Sequence, residues 1–367
     1  MSEFFKDLYV VELAGVLAGP AAGMFFAELG ARVLKIESRD GGDITRKWKL
    51  EGEDPQSPVS AYFASINYRK EYWFKDLRDE ADRAEVLAEL TRADVVLTSF
   101  APGRDAELGL DYASLAAINP KVIHGRITGF GDDNPRPAFD VVLQAEAGFM
   151  SMNGTEESGP IKMPVALIDL IAAHHLKEGL LLALLKRERT GEGSCVSVSL
   201  YDAALTSLAN QATGWLMGGI VPRRLGTLHP SIAPYGETFE TADAQRMVLA
   251  VGTDRQFDDL CSVCGDPGWA SDERFSTNES RVKHRRALGE LLAGVFASRE
   301  SSELALQLEQ AGVPYGLVRT LDQVLSQEVA QRLIREEEIQ GTLTRRLSGF
   351  AFDTGFLSGA PSRPRGR

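Results

Sequence analysis

Strand-like and helix-like segments alternate along the first half of this chain, and that alternation constrains the fold more than any other feature. Tyr9-Val10-Val11-Glu12-Leu13 reads as a short buried strand. A Gly/Ala-rich turn follows over residues 14–20, with Pro20 where the first turn of a helix tolerates proline. That helix runs to about Leu29 and stops at Gly30, and Arg32-Val33-Leu34-Lys35-Ile36 is the next strand. The pattern recurs as a helix at Glu80–Thr91, a strand at Asp94–Thr98, a short helix at Tyr112–Ile118 and a strand at Val122–Ile127. Strands separated by helices pair in parallel through right-handed crossovers. The expected fold class is therefore α/β, with a doubly wound, mostly parallel, Rossmann-like sheet covered by helices on both faces. Such sheets bind ligands beyond the carboxyl ends of their strands. The loops at 14–20, 37–48, 99–105 and 128–140 are thus the places to look.

Later segments predict a helix at 170–188, a turn at Arg189–Gly193, a strand at Cys195–Leu200 and a long helix at 201–218. Gly218-Gly219 and the prolines of 222–236 read as a connection. A hairpin around Thr241-Ala242-Asp243 and helices from about 255 to 325 form a second, smaller α+β unit. The expected division is a large domain at 1–200, a linker helix and connection at 201–225, a small domain at 226–328 and a return to the large domain at 329–367. The Gly-, Pro-, Ser- and Arg-rich tail from Ser358 to Arg367 is expected to be mobile.

A net charge of −12 argues against a general nucleic-acid surface, which needs a basic field. No run is long enough to span a bilayer, and the first residues lack the pattern of a signal peptide. The three cysteines, Cys195, Cys261 and Cys264, are too few for a disulfide framework. These features predict a cytoplasmic protein. Cys261-Ser262-Val263-Cys264 has no second pair to complete a zinc site and lies in an amphipathic helix, so it reads as core. His174 and His175 cannot share a helix face; one is expected against a helix neighbour and the other in solvent or an interface. No metal site is expected. Gly15, Gly19 and Gly23 are spaced by four and do not make the dinucleotide fingerprint. Phosphate-loop and nucleophile-elbow motifs are absent.

Asp169 stands alone in the apolar run Pro164-Val165-Ala166-Leu167-Ile168-Asp169-Leu170-Ile171-Ala172-Ala173. An unpaired buried carboxylate is costly, so the position needs a reason. One reason is helix capping, since an apolar stripe (Leu170, Ala173, Leu176, Leu180, Leu184) starts just after it. The other is catalysis.

Six segments in order decide between them. They are residues 11–20 with 29–37; Gly42-Asp43-Ile44-Thr45-Arg46 up to Trp48; Phe100-Ala101-Pro102-Gly103 with residues 108–112 and Asn119-Pro120; Gly129-Phe130-Gly131 with Ala138-Phe139-Asp140 and Gln144-Ala145; Asp169 in its apolar frame; and Arg189-Thr190-Gly191-Glu192-Gly193. Together they resemble the CaiB/BaiF family, the class III (formyl-CoA transferase-like) CoA-transferases, over nearly the whole chain. The resemblance implies that Asp169 is the catalytic nucleophile, which attacks an acyl-CoA thioester to give a mixed anhydride and then an aspartyl-CoA thioester. A helix N-terminus would keep Asp169 ionised. Oxyanion donors would be backbone N–H groups of the glycine-containing loops.

The resemblance also implies CoA contacts at Val16, Leu17, Phe100, Ala101 and Arg104, with Arg39 replacing an arginine the family carries at the position of Ser38. Trp48, Phe139 and Asp140 would line the substrate pocket. No tightly bound cofactor is implied; coenzyme A enters as the acyl-CoA substrate. An interlocked homodimer is implied, and neither nucleic acid nor membrane is a partner. Racemases of the family carry a histidine where this chain has Phe139, which cannot move a proton. Formyl-CoA transferases carry glutamine at the position of Leu17 and tyrosine at that of Phe139, so a different acid pair is expected. A 2-methylacyl-CoA racemase and a catalytically silent CoA-binding protein are the alternatives. Past Pro361 the residues depart from the family's usual pattern.

Overall fold

Val10, Val33, Val95 and Ile123 point to one face of a sheet, while Tyr9, Val11, Leu34 and Val96 point to the other, and all are buried. A strand apolar on both faces must be covered twice, which is how a parallel sheet is built. In the computed structural model, which describes residues 3–352, six strands do this. They are β1 (Tyr9–Leu13), β2 (Arg32–Ser38), β3 (Glu71–Lys75), β4 (Val95–Thr98), β5 (Ile123–Thr128) and β6 (Ser194–Ser199). All pair in parallel, in the order β3-β2-β1-β4-β5-β6. The sheet is Rossmann-like. The strand order reverses between β1 and β4, which opens a crevice at their carboxyl ends.

The helices of this part are α1 (Ala18–Glu28), α2 (Ala61–Ile66), α3 (Glu80–Leu90), α4 (Arg104–Leu108), α5 (Tyr112–Ile118), α6 (Asp140–Glu146), α7 (Phe149–Met152), α8 (Leu167–Thr190), α9 (Leu200–Thr206) and α10 (Ala209–Gly218). Ala22 and Phe26 of α1 and Leu176 and Leu180 of α8 pack on one face of the sheet. Val86 and Leu90 of α3 and Leu115 of α5 pack on the other. Two glycines are dictated by close approach. A Cβ at Gly19 would lie 2.4 Å from that of Ala14, and one at Gly23 would lie 1.9 Å from Glu12 Oε2. The glycines four residues apart thus serve helix–strand packing and leave room for a buried carboxylate.

Three elements differ from the sequence expectation. Strand β3, Glu-Tyr-Trp-Phe-Lys, was not expected; it is the edge strand, and its residues are exposed or half-buried. The helix expected over 201–218 is two helices, broken where Ala209 takes a φ of 44°. A hairpin of β10 (Ile334–Ile339) and β11 (Thr342–Leu347) also forms, with Ile339 packed among Val59, Phe63 and Ala64.

The chain divides into two compact units, one of residues 1–150, 162–221 and 332–367, the other of 151–161 and 222–331. The second holds an antiparallel sheet of β7 (Tyr235–Glu240), β8 (Arg246–Ala250) and β9 (Tyr315–Leu317), with helices α11 (Asp254–Cys264), α12 (Asn278–Lys283), α13 (Arg285–Ala297) and α14 (Ser301–Gln310). Cys261 and Cys264 are buried in its core, and burial pushes their thiols up to about 12 and about 11. They remain protonated and unreactive. The tail from Ser358 lies outside the described residues.

Candidate active site

Asp169 is the third residue of α8 and is buried, only 6% exposed. It does not cap its helix. The N-cap is Ala166, which has no side-chain acceptor. Asp140, at the start of α6, caps the helix instead: its Oδ1 accepts the Ile168 N–H at 2.7 Å. Its Oδ2 accepts from Gln144 Nε2 at 2.5 Å, and Gln144 Oε1 accepts the Met163 N–H at 2.8 Å. Asp140 and Gln144 together fasten the segment that leads into α8.

With its helix capped by another residue, Asp169 is left without a hydrogen-bond donor among the described residues. Burial, and then the charge of Asp140, push its carboxyl up to about 7. The expectation that the helix N-terminus keeps Asp169 fully ionised is thus corrected. Burial and the nearby carboxylate leave the group poised between its two forms at neutral pH.

Asp169 opens into a cavity of about 310 Å³ at the carboxyl ends of β1, β4 and β5. One wall is the loop Gly15-Val16-Leu17-Ala18-Gly19; the others include Phe100, Ala101, Gly129, Arg136 and Phe139. Leu17 is the N-cap of α1 and contributes no side-chain cap. The N–H groups of Leu17, Ala18 and Gly19 make no hydrogen bond among the described residues. The unsatisfied positive end of an eleven-residue helix therefore borders the cavity that contains the carboxylate.

Phe100 also lines a second cavity, of about 330 Å³, beyond the ends of β1, β2 and β3. Ser38, Lys75, Arg78 and Arg104 lie around it. Arg104 pairs with Glu107 at 2.6 Å, and Lys75 lies 3.2 Å from Asp82. The two spaces, one mainly apolar with Asp169 and Arg136 and one with three cations beside Glu37 and Asp76, meet at a single aromatic ring.

Of the residues singled out in the sequence, Val16, Leu17, Phe100, Ala101, Phe139 and Asp169 line the first cavity, and Arg104 the second. Three stand elsewhere. Arg39 lines neither cavity; its side chain is half-exposed and pairs with Asp82. Trp48 stands behind Phe139, ring centres 6.3 Å apart, and packs edge-on against Tyr62 at 5.0 Å. Asp140 acts through Asp169 and α8 rather than as a wall. His174 and His175 are both exposed, and His175 Nδ1 lies 3.8 Å from Glu178 one turn along α8, the helix neighbour expected for one of them.

Sequence reading missed Tyr62, Arg136 and Ser99. Tyr62 packs against the cluster of Leu17, Ala21, Ile66 and Ala173. Burial, then the charges of Asp169 and Asp140, push its hydroxyl up to about 12. Arg136 is held by Glu146, and its guanidinium lies over the Phe130 ring at 4.5 Å. Ser99 Oγ accepts the Gly15 N–H at 3.0 Å. None belongs to a periodic pattern, so only the fold brings them to the site. Among the described residues no cluster of His, Cys, Asp and Glu is arranged to hold a metal ion. No helix among them is long and apolar enough to cross a membrane.

Known proteins resemble this chain in sequence and fold over most of its length. The model of CoA-transferase family III matches residues 5–362. The chain is 37% identical over 332 residues to the succinate–glutarate CoA-transferase of Agrobacterium fabrum, covering 89% of this chain and 82% of that protein. It is 35% identical over 316 residues to the acetyl-CoA:oxalate CoA-transferase of Acetobacter aceti, covering 85% and 80%. A crystal structure of a CaiB/BaiF family protein from Brucella suis superposes with a TM-score of 0.83 at 36% identity, over 96% of this chain and 93% of that one. With family model, relatives and fold in agreement, the chain belongs to CoA-transferase family III, the class III CoA-transferases.

Proposed function

We propose that the protein moves CoA from an acyl-CoA donor to a carboxylic acid acceptor through covalent intermediates on Asp169. The observation that carries this reading is a buried carboxylate with no hydrogen-bond donor of its own, in a cavity bordered by the unpaired N–H groups of an α-helix. A desolvated carboxylate is a better nucleophile than a solvated one. The unpaired N–H groups suit the oxyanion that forms when it attacks.

In the first step an Asp169 oxygen bonds to the thioester carbonyl carbon, the C–S bond breaks, and CoA thiolate leaves. The thiolate then attacks the Asp169 carbonyl of the mixed anhydride and expels the donor acid as carboxylate. The acceptor carboxylate attacks the resulting aspartyl-CoA thioester and releases thiolate once more. Thiolate finally attacks the acceptor's acyl carbon, which frees the new acyl-CoA and restores Asp169. Leu17, Ala18 and Gly19 N–H groups stabilise each oxyanion in turn. The pantetheine arm passes Phe100, and the nucleotide end lies near Arg104, Lys75 and Arg78, whose charges suit its phosphates. Arg136 and the small cavity favour short acids, in line with relatives named for succinate, glutarate and oxalate. Coenzyme A is substrate here, not a resident cofactor, and a second copy of the chain completes the molecule.

The test is to incubate the protein with succinyl-CoA, acetyl-CoA or another short acyl-CoA, trap with hydroxylamine and map the peptides. The expected outcome is a hydroxamate on Asp169 and transfer to a short acid, both lost in Asp169→Ala while CoA binding persists. Unchanged turnover in Asp169→Ala would remove the assignment. Proton exchange at C2 of an acyl-CoA without transfer would instead support the racemase, and CoA binding with neither would support the silent binder.

A further inference from the structure

The loop between β1 and α1 is pinned by side chains that do not line the cavity. Lys35 Nζ donates to Ala14 O at 2.7 Å, Asp43 Oδ2 accepts the Val16 N–H at 3.2 Å, and Lys70 Nζ donates to Pro20 O at 2.9 Å. These groups are joined to one another. Lys35 lies 3.1 Å from Asp43 and 3.0 Å from Glu12, and Lys70 donates to both Glu12 oxygens at 2.9 Å. All four side chains are buried, and their two positive and two negative charges balance. Burying four charges is a poor way to gain stability, because desolvation offsets most of the attraction. Their arrangement asks for another purpose.

Val16 supplies one. Its φ is 68°, the left-handed region that a β-branched residue almost never adopts. Backbone held there persists only where its surroundings over-determine it. The groups that over-determine it are Asp43, which takes the Val16 N–H, and Lys35, which holds both Asp43 and the preceding carbonyl. The next three N–H groups are the unpaired ones of Leu17, Ala18 and Gly19. We infer that Asp43, anchored by Lys35, is a positioning residue that holds Val16 in its left-handed conformation and thereby aims the Leu17–Gly19 N–H groups at the reacting carbonyl. This rests on the transferase reading of the same site. It also gives a role to Lys35 and Gly42-Asp43, which the sequence marks but the chemistry does not use.

The decisive comparison is Asp43→Ala against the double variant Asp43→Ala with Val16→Gly, assayed with succinyl-CoA and glutarate. Once Asp43 is gone, valine leaves the left-handed region. The expected result is a kcat at least ~10-fold lower with KM for the acyl-CoA nearly unchanged, because the lost geometry matters in the transition state. Glycine adopts positive φ without strain, so the double variant should recover most of kcat although the buried charges stay unbalanced. A merely structural network would lower melting temperature and leave both variants equally slow, which overturns the inference; so would a normal kcat in Asp43→Ala. Should Asp43→Ala fail to fold, Asp43→Leu, which fills the same space without an acceptor for the Val16 N–H, must show the same split and the same rescue. If the wild type itself transfers nothing, the transferase reading fails separately. A crystal structure of the Asp43 variant then decides: Val16 at negative φ supports the inference, and Val16 still at positive φ overturns it.

Discussion

Asp169 keeps its proton to about pH 7 because burial removes the water that would stabilise its charge, and Asp140 adds a like charge nearby. In the proposed mechanism only the ionised form attacks the thioester. The profile of kcat/KM against pH should therefore carry an acid limb with an apparent pKa near 7, read with an acyl-CoA whose own ionisation lies outside the range. A limb near 4 would mean that the carboxylate is solvated in the free enzyme. The same shift has a consequence for stability. The folded pKa is above the unfolded value of 3.8, so the folded state binds more protons between about 4 and 7, and stability contributed by this group is lost as pH rises through that window. Above pH 7 the ionised, buried carboxylate is a burden of at most ~4 kcal/mol, from ~1.4 kcal/mol per pKa unit. Asp169→Asn should thus melt above the wild type at pH 8, with the gain shrinking through pH 6 and gone by about pH 4. A melting difference that does not vary with pH would refute the argument.

At the scale of elements, α8 starts three residues earlier than its apolar stripe suggests, and its Ile168 N–H is capped by a residue 28 positions away. Asp140→Asn keeps an oxygen for the Ile168 N–H and removes the charge beside Asp169. It should move the acid limb to lower pH by only part of the whole shift, since burial is the larger cause. Asp140→Ala removes the cap as well and should cost about 1 kcal/mol or more in stability. Rate profiles and melting curves of the pair separate the two roles, and identical behaviour would show that the cap does not matter. Local pattern was enough for β1, β2, β4 and β5, whose apolar runs have one reading in a parallel sheet. It was not enough for β3, where charged ends and half-buried or exposed rings suit only an edge. The same division holds in the site. Asp169 was legible as the odd residue in an apolar frame, and Val16, Leu17, Phe100 and Ala101 through the family's motifs. The cap by Asp140, the nearness of Tyr62 and the Lys35–Asp43 pair join positions far apart in the chain, which no local spacing encodes.

For the whole molecule, α10 poses a question that one chain does not answer. It is a ten-residue helix with no buried residue, and Trp215, Leu216 and Met217 are 55%, 79% and 85% exposed. Isolated helices of this length are marginal in water, and most helical stability in proteins comes from packing an apolar face. Ile220 and Val221 just beyond it, and Leu182 and Leu185 on α8, are exposed as well. So many exposed large side chains exceed what scattered surface residues explain. We propose that a second copy of the chain covers them, since a two-fold interface uses the same surface on both copies. Light scattering on the eluting protein should give twice the 40.0 kDa chain mass. Leu216→Glu with Met217→Lys should shift it toward the single-chain value, and α10, left uncovered, should then exchange its amide hydrogens rapidly. A wild type that elutes as one chain, with α10 well protected, would show that the helix is held by something other than a second copy.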